Sequence, residues 1–438
     1  MKRFGMAIVL CAALSAGVFT GCAATTTSSA TSSSTSFASA PADVSGSMQS
    51  SAMSGPGGMS SASTQTVSGT QEWSLDTAGL FTDRDLEQTA DTSSAKTITV
   101  SDGQDVTISE EGVYVVKGTA KDVTITVEAD DSAKVQIVLD GANIANSDAP
   151  AIYVKSADKV FVTTASGSTN TLEVTGTFAT SEDSDSNIDG VIFAKDDIVL
   201  NGQGTLTVNS TENGIVGKDD VKVTGGTYKI NASNHGIQGK DSVAIANGTF
   251  DITAGKDAIH AENSDDQSLG YVYVADGSFT INADSDGIAG YAAVQIDGGT
   301  FAINSGEGIE GTFVRINDGK IGVTATDDGI NSTMKSSVYI AQLEINGGEV
   351  TVEMGQGDTD ALDANGNLYI NGGTVTINAQ SPFDYDGQGA LNGGTVIVNG
   401  EQVTQLTNSM MGGPQGGGQG GMSGGPQGGM SGGSRGMR

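Results

Sequence analysis

Three stretches of the chain repeat one pattern: Asn213-Gly214-Ile215-Val216-Gly217-Lys218-Asp219, His235-Gly236-Ile237-Gln238-Gly239-Lys240-Asp241 and Asp257-Ala258-Ile259-His260-Ala261-Glu262. Their central isoleucines, Ile215, Ile237 and Ile259, lie 22 residues apart. The series runs forward through Ile288, Ile309, Ile330, Leu362 and Phe383, and back through Ile192 and Ile152. The wider gaps are one period plus an insertion. Each unit also carries a turn pair, such as Gly225-Gly226, Asn247-Gly248 or Asp318-Gly319, between short alternating runs such as Val221-Lys222-Val223-Thr224 and Tyr228-Lys229-Ile230-Asn231. A fixed period of this length marks a solenoid. β-Branched runs bounded by Gly, Asn and Asp mark strands, and no helical periodicity competes. One unit is therefore three short strands and three turns. The predicted fold is all-β, a single parallel β-helix of about 22 residues per coil, in which each coil closes its core only by stacking on its neighbours.

The composition agrees. The chain has 438 residues, 64 of them Gly, with few aromatics. That would serve a conventional core poorly, but a solenoid consumes glycine in its turns and has a narrow interior. Acidic residues outnumber basic ones by 52 to 20. Nucleic acid is excluded as a partner, because phosphate binding needs positive charge. Cations, or a neutral or cation-bridged ligand, fit better; solubility alone is the competing explanation of the acidity.

The N-terminus reads as an export signal. Lys2 and Arg3 precede an apolar run from Phe4 to Phe19, too short for a comfortable membrane span. The run ends Phe19-Thr20-Gly21-Cys22, which looks like a bacterial lipobox with Phe19 in place of the usual leucine. The expectation is a lipoprotein signal over 1–22, with Cys22 lipidated and the protein held at the outer face of the bacterial cell membrane. An ordinary signal peptide cut elsewhere is the alternative. With Cys11 and Cys22 the only cysteines, this leaves no disulfide in the exported domain. Residues 23–78 are rich in Ser and Thr and read as a flexible tether. Residues 79–408 form the β-helix, expected to be a monomer. The Gly/Met-rich tail, 409–438, reads as disordered.

Several stretches resemble a known family: Phe81-Thr82-Asp83-Arg84-Asp85-Leu86-Glu87, Val138-Leu139-Asp140-Gly141, Ala151-Ile152-Tyr153-Val154-Lys155, Gly355-Gln356-Gly357-Asp358-Thr359-Asp360-Ala361-Leu362-Asp363 and Leu391-Asn392-Gly393-Gly394. Together, over roughly residues 79–410, the chain resembles the clostridial carbohydrate-binding β-helix family. The resemblance implies a right-handed helix similar in shape to pectate lyases, calcium ions, and binding of plant cell-wall polysaccharides such as cellulose and polygalacturonate.

Alternate side chains of a strand face opposite ways. If the central isoleucine points inward, the residues one and three after it point outward. The third position reads Lys155, Lys195, Lys218, Lys240, then Glu262. The first reads Tyr153, Phe193, Val216, Gln238, His260, then Ala289, Glu310, Asn331, Asp363. One face thus grades from basic and partly aromatic to acidic. The four lysines, about 4.8 Å apart, can form a rail for an acidic polysaccharide, with Tyr153, Phe193 and His260 against the sugar. Alternatively each lysine pairs with a neighbouring acid, such as Asp196, Asp197, Asp219, Asp220 or Asp241. The acidic half collects Asp284, Asp286, Glu307, Glu310, Asp327, Asp328, Asp358, Asp360 and Asp363. Carboxylates about 5 Å apart repel by roughly 0.8 kcal/mol in water and roughly 3 at an effective dielectric near 20. A cation between them relieves this, and an oxygen-only set suits calcium. Aspartate before glycine is also ordinary turn chemistry, which accounts for Asp286-Gly287 and Asp328-Gly329 alone.

Three functions fit: a non-catalytic carbohydrate-binding surface protein, a calcium-dependent polysaccharide lyase, and a structural or adhesive surface protein. Fold alone does not decide between them. A lyase needs a basic group near the metal, for which Arg315, Lys320, Lys335, His235 and His260 are candidates. The export reading is tested on its own: Cys22→Ala should release the protein into the medium. Retention of that variant in the membrane fraction at the parental level would overturn it.

Overall fold

The computed structural model describes residues 69–179, 187–355 and 359–409. The signal segment, Cys22, most of the tether, Asp358 and the tail from 410 lie outside the described residues.

The repeat closes as a parallel β-helix. Among the described residues there are 34 strands and no helix. They line up as three parallel ladders, and long strands such as Asp286–Ile296 and Glu307–Ile316 run through two of them. The ladder of the central isoleucines pairs Ile152 with Ile192, Ile192 with Ile215, and Ile215 with Ile237. It continues through Ile259, Ile288, Ile309, Ile330, Leu362 and Phe383 without a slip in register. All ten of these side chains are buried. A second ladder carries Val221, Val243 and Val272, and a third carries Tyr228, Phe250, Phe279 and Phe301. The one antiparallel pairing among the described strands joins Thr395–Val398 to Glu401–Val403 at the C-terminal end.

Because register is kept, each interior column stacks like on like. Phe250, Phe279 and Phe301 lie face to face, with centroids 4.7 and 4.5 Å apart and planes within 1°. Tyr228 caps the stack and donates its hydroxyl to the Gly225 carbonyl at 2.7 Å. At the turn after the second ladder, Asn317, Asn346, Asn371 and Asn392 form an amide ladder with successive contacts of 2.8 Å. An amide carries both donor and acceptor, so it can repeat along a column without limit. The predicted turn pairs are present; the second glycine of each has a positive φ that side chains disfavour, 105° at Gly226 and 104° at Gly299.

Residues 69–95 run back along the outside of the second ladder. Gln71 bridges to Tyr339, and Trp73 is buried between Tyr271 and Phe313. Phe81 meets Tyr273, Arg84 lies over Phe161, and the fully buried Asp85 faces Lys159 at 3.4 Å. Residues 69–78, counted with the tether from composition, therefore belong to the folded domain. The strap explains why the outward residues Phe161, Val199 and Ala244 are apolar and buried.

The aromatic column holds the coils in register. Phe279→Ala should lower stability by about 3–5 kcal/mol, read as a lower urea midpoint. The outward-facing Thr280→Ala on the same strand should stay within about 0.5 kcal/mol. Equal effects of the two would show that the column is not close-packed.

Candidate functional site

The site is a two-lane strip on the outer side of the isoleucine ladder. One lane is the residue two before each central position: Asn213, His235, Asp257, Asp286, Glu307, Asp328, Asp360 and Ser381. The other is the residue one after: Val216, Gln238, His260, Ala289, Glu310, Asn331, Asp363 and Asp384. The small residue between the lanes has a steric cause. A Cβ on Gly308 would lie 2.2 Å from the Gly329 carbonyl, and one on Gly329 would lie 2.5 Å from that of Ala361. Neither glycine has the positive φ of a turn, so Asp328-Gly329 is not turn chemistry. The close approach of coils requires the glycine, and the side chain before it is displayed outward.

In the acid stretch, Asp286, Glu307 and Glu310 bring three carboxylate oxygens within 4.8 Å of one another. Burial, and then the neighbouring carboxylates, raise all of Asp286, Glu307, Asp328 and Asp363 above their usual range. Glu307 and Asp363 reach about 7 and Asp328 about 6. Partial compensation comes from donors. Asn331 gives its amide to Glu307 at 3.1 Å and to Asp328 at 3.3 Å. The Asp360 backbone N–H donates to Asp328 at 3.2 Å. Lys335 pairs with Glu310, and although burial disfavours its charge, that carboxylate holds its pKa above the ordinary lysine value. The oxygen Oδ1 of the buried Asn331 has no hydrogen-bond partner and sits in the midst of this set. The expected ligands Asp284 and Asp327 are exposed and are not part of the three-carboxylate group. Asp257, Asn331, Lys335 and Asp384 belong to the strip without having been singled out as ligands.

The basic stretch is stacked as expected. Backbone bonds from Lys195 to Val154, Lys218 to Ala194 and Lys240 to Gly217 place the four lysines on successive coils. For Lys155 and Lys240 the partners differ from those foreseen. Lys155 meets Glu128 at 3.6 Å and Lys240 meets Asp265 at 2.7 Å. Asp196, Asp197 and Asp220 are engaged with Ala157, Lys159 and Lys222. Exposed pairs of this kind contribute little and leave the lysines available to a stronger anion.

The aromatic reading needs correction. Phe193 is fully buried and Tyr153 nearly so, in a small cluster with Val216 and Ile188. They cannot lie flat against a sugar. Ile188, which the insertion between Ile152 and Ile192 supplies, packs over them. They instead seat the rail: the ammonium of Lys218 lies 5.3 Å from the Phe193 ring centroid, and that of Lys155 lies 5.8 Å from the Tyr153 centroid. His260 is likewise mostly buried and hydrogen-bonded, with its ring against His235.

A family profile described as carbohydrate-binding domain-containing protein matches residues 102–312 and 306–409, more than half of the chain. The chain belongs to that family. A carbohydrate-binding domain-containing protein of Acetivibrio thermocellus is 37% identical over 124 residues, covering 28% of this chain and 43% of the relative's own length. Among solved structures, a polysaccharide lyase-like protein from C. thermocellum, in a gadolinium derivative, is similar with a TM-score of 0.47 and 33% identity. That likeness covers 48% of this chain and 92% of the other.

The raised carboxylates set a pH dependence. In cation-free protein they keep protons that the unfolded chain has released above its ordinary values of 3.8 and 4.5. The folded state then binds more protons, and stability falls as pH rises from about 4 to about 7. Protein in chelator should melt at a higher temperature at about pH 5 than at about pH 8, and Glu307→Gln should flatten that slope. A melting temperature that climbs over this interval would contradict the geometry.

Proposed function

We propose that this is a non-catalytic carbohydrate-binding protein of the cell surface, lipid-anchored through Cys22, which holds plant cell-wall polysaccharide along the strip with calcium in its acid stretch. Polygalacturonate and cellulose are the polymers in view. The observation that carries the reading is the convergence of Asp286, Glu307 and Glu310 within 4.8 Å, with Lys335 as the ammonium paired among them. Three carboxylates and one ammonium leave negative charge that a divalent cation balances. The donor set is all oxygen, and the spacing comes from two coils rather than one rigid loop. Calcium accepts six to eight oxygens in irregular geometry, whereas magnesium demands a tight octahedron. A calcium ion so held keeps coordination positions for a uronate carboxylate, and the lysines on the coils before it attract the same polymer directly.

The basic groups nearest the acids favour binding over cleavage. A lyase base must be free to take a proton. Lys335 is kept charged by Glu310. Arg315 is bound to Glu344 at 2.7 Å and lies over the Phe313 ring. Lys320 pairs with Glu349 on the outer surface at 3.1 Å.

The test is polygalacturonate binding by calorimetry in calcium, in magnesium and in chelator, with absorbance followed for unsaturated products. Binding should be strongest in calcium and no product should accumulate. Calcium at a hundredfold excess over its dissociation constant should add about 2.7 kcal/mol of stability. Asp328→Asn with Asp360→Asn should remove most of that increment. A melting temperature indifferent to calcium and chelator, or a growing product absorbance, would overturn the proposal.

A further inference from the structure

Between the lysine rail and the acid stretch the same strip holds a different donor set. His235 and Asp257 are successive members of one lane, and His260 is the neighbour of Asp257 in the other. The two imidazoles stack with centroids 4.3 Å apart. Both present Nδ1 to one oxygen: His260 Nδ1 lies 2.7 Å and His235 Nδ1 3.3 Å from Asp257 Oδ2. One donor atom from each of the three residues lies within 4.8 Å of those of the other two.

We propose that His235, Asp257 and His260 form a binding site for a divalent transition metal of the zinc type, separate from the calcium stretch.

Four features support it. First, the donor chemistry is two nitrogens and one oxygen, which suits zinc, nickel or copper and not calcium or magnesium. Second, the spacing fits. A tetrahedral ion with bonds of about 2.1 Å sets its ligand atoms about 3.4 Å apart. The His235 contact is already at that separation, and His260 has to withdraw by less than an ångström. Third, the ligands are held from behind. The other oxygen of Asp257 accepts the Asp286 backbone N–H at 3.1 Å, which turns Oδ2 toward the rings. The far nitrogen of His260, Nε2, lies 3.4 Å from Glu262. A carboxylate on the far side of a histidine fixes the tautomer that offers Nδ1 to a metal. Fourth, hydrogen bonding within the group leaves one nitrogen over: His235 Nδ1 is buried, 3.3 Å from Asp257 Oδ2 but without a hydrogen bond. One metal ion takes a lone pair from each ring and the carboxylate's charge together.

The site also differs from its neighbours in kind. Two coils earlier along the lanes the equivalents are Asn213 and Val216, and one coil later they are Asp286 and Ala289. Histidine occurs in the chain only here, at two positions out of 438 residues.

The test uses the full chain, stripped of metal and then saturated with calcium, and titrated with zinc and with cobalt. One zinc ion should bind that is absent in His235→Gln/His260→Gln. Glu262→Gln should weaken zinc by about 10- to 100-fold while keeping one ion bound. The calcium-dependent rise in melting temperature should persist in all variants, which shows that they fold and separates this site from the acid stretch. X-ray absorption of the zinc-loaded parent should show two imidazoles and at least one oxygen in the first shell, a readout that needs no variant. Zinc stoichiometry unchanged by the double substitution, or a first shell without two imidazoles, would overturn the assignment.

Discussion

Every coil of this protein stands about 4.8 Å from the next, and register is kept for almost the whole length. A residue type placed at one position is therefore laid against its counterparts above and below. For isoleucine and phenylalanine this is the source of stability: the columns fill the interior and exclude water. For asparagine it is also favourable, since each amide donates to one neighbour and accepts from the other. A carboxylate only accepts. A column of carboxylates must import its donors, and the outer strip of the isoleucine ladder is best understood by asking where each one finds them.

The answers differ along the strip. Asp257 has two imidazoles and a backbone N–H. Burial alone would raise its pKa, but the two imidazoles and that N–H hold it far below the carboxylate range. His260 is raised to about 9, because Asp257 and Glu262 outweigh its burial. Glu310 has Lys335, Asp328 has a backbone N–H and Asn331, and Asp360 has Ser381. Asp286 and Asp363 are poorly provided for: burial beside Asp257 raises the first to about 8, and burial beside Asp328, Asp384 and Asp360 raises the second to about 7. The donors thus change from imidazole to ammonium to amide along the strip. If both proposed sites hold metal, the strip would sort cations by hardness, with nitrogen ligands at His235 and His260 and oxygen ligands on the coils after them.

The period, the central core residues and the turn glycines were legible in the sequence because they repeat, and repetition is what a solenoid imposes. What was misread lies where the period breaks. Tyr153 and Phe193 occupy outward positions, and strict alternation exposes them; Ile188, from the longest insertion, covers them. Lys335 comes from the insertion between Ile330 and Leu362, as does Tyr339, which bridges to the N-terminal strap. Asp265, the partner of Lys240, comes from the insertion after Glu262. An insertion has no counterpart on the next coil, so periodicity cannot say where its side chains return. Trp73 shows the same limit, because a strap laid across many coils shares the period of none.

If the proposed function holds, the order of charges along the strip would let a chain of net charge −32 hold a polyanion. Long-range attraction is unavailable, since at physiological ionic strength only charges within about 8 Å are felt. Local order decides instead. On that reading a uronate chain lying over the first coils would meet Lys155, Lys195, Lys218 and Lys240; of these, Lys155 and Lys240 hold the exposed partners Glu128 and Asp265 only loosely. Over the later coils it would meet carboxylates, and contact there would require a bridging cation. The two halves would then respond oppositely to solution conditions: salt would weaken the first, and calcium would enable the second. Binding that used the lysines alone would ignore chelator, and binding that used the acids alone would tolerate moderate salt. A polymer spanning both would be sensitive to each, with the two contacts joined by one chain so that engagement of either raises the effective concentration at the other.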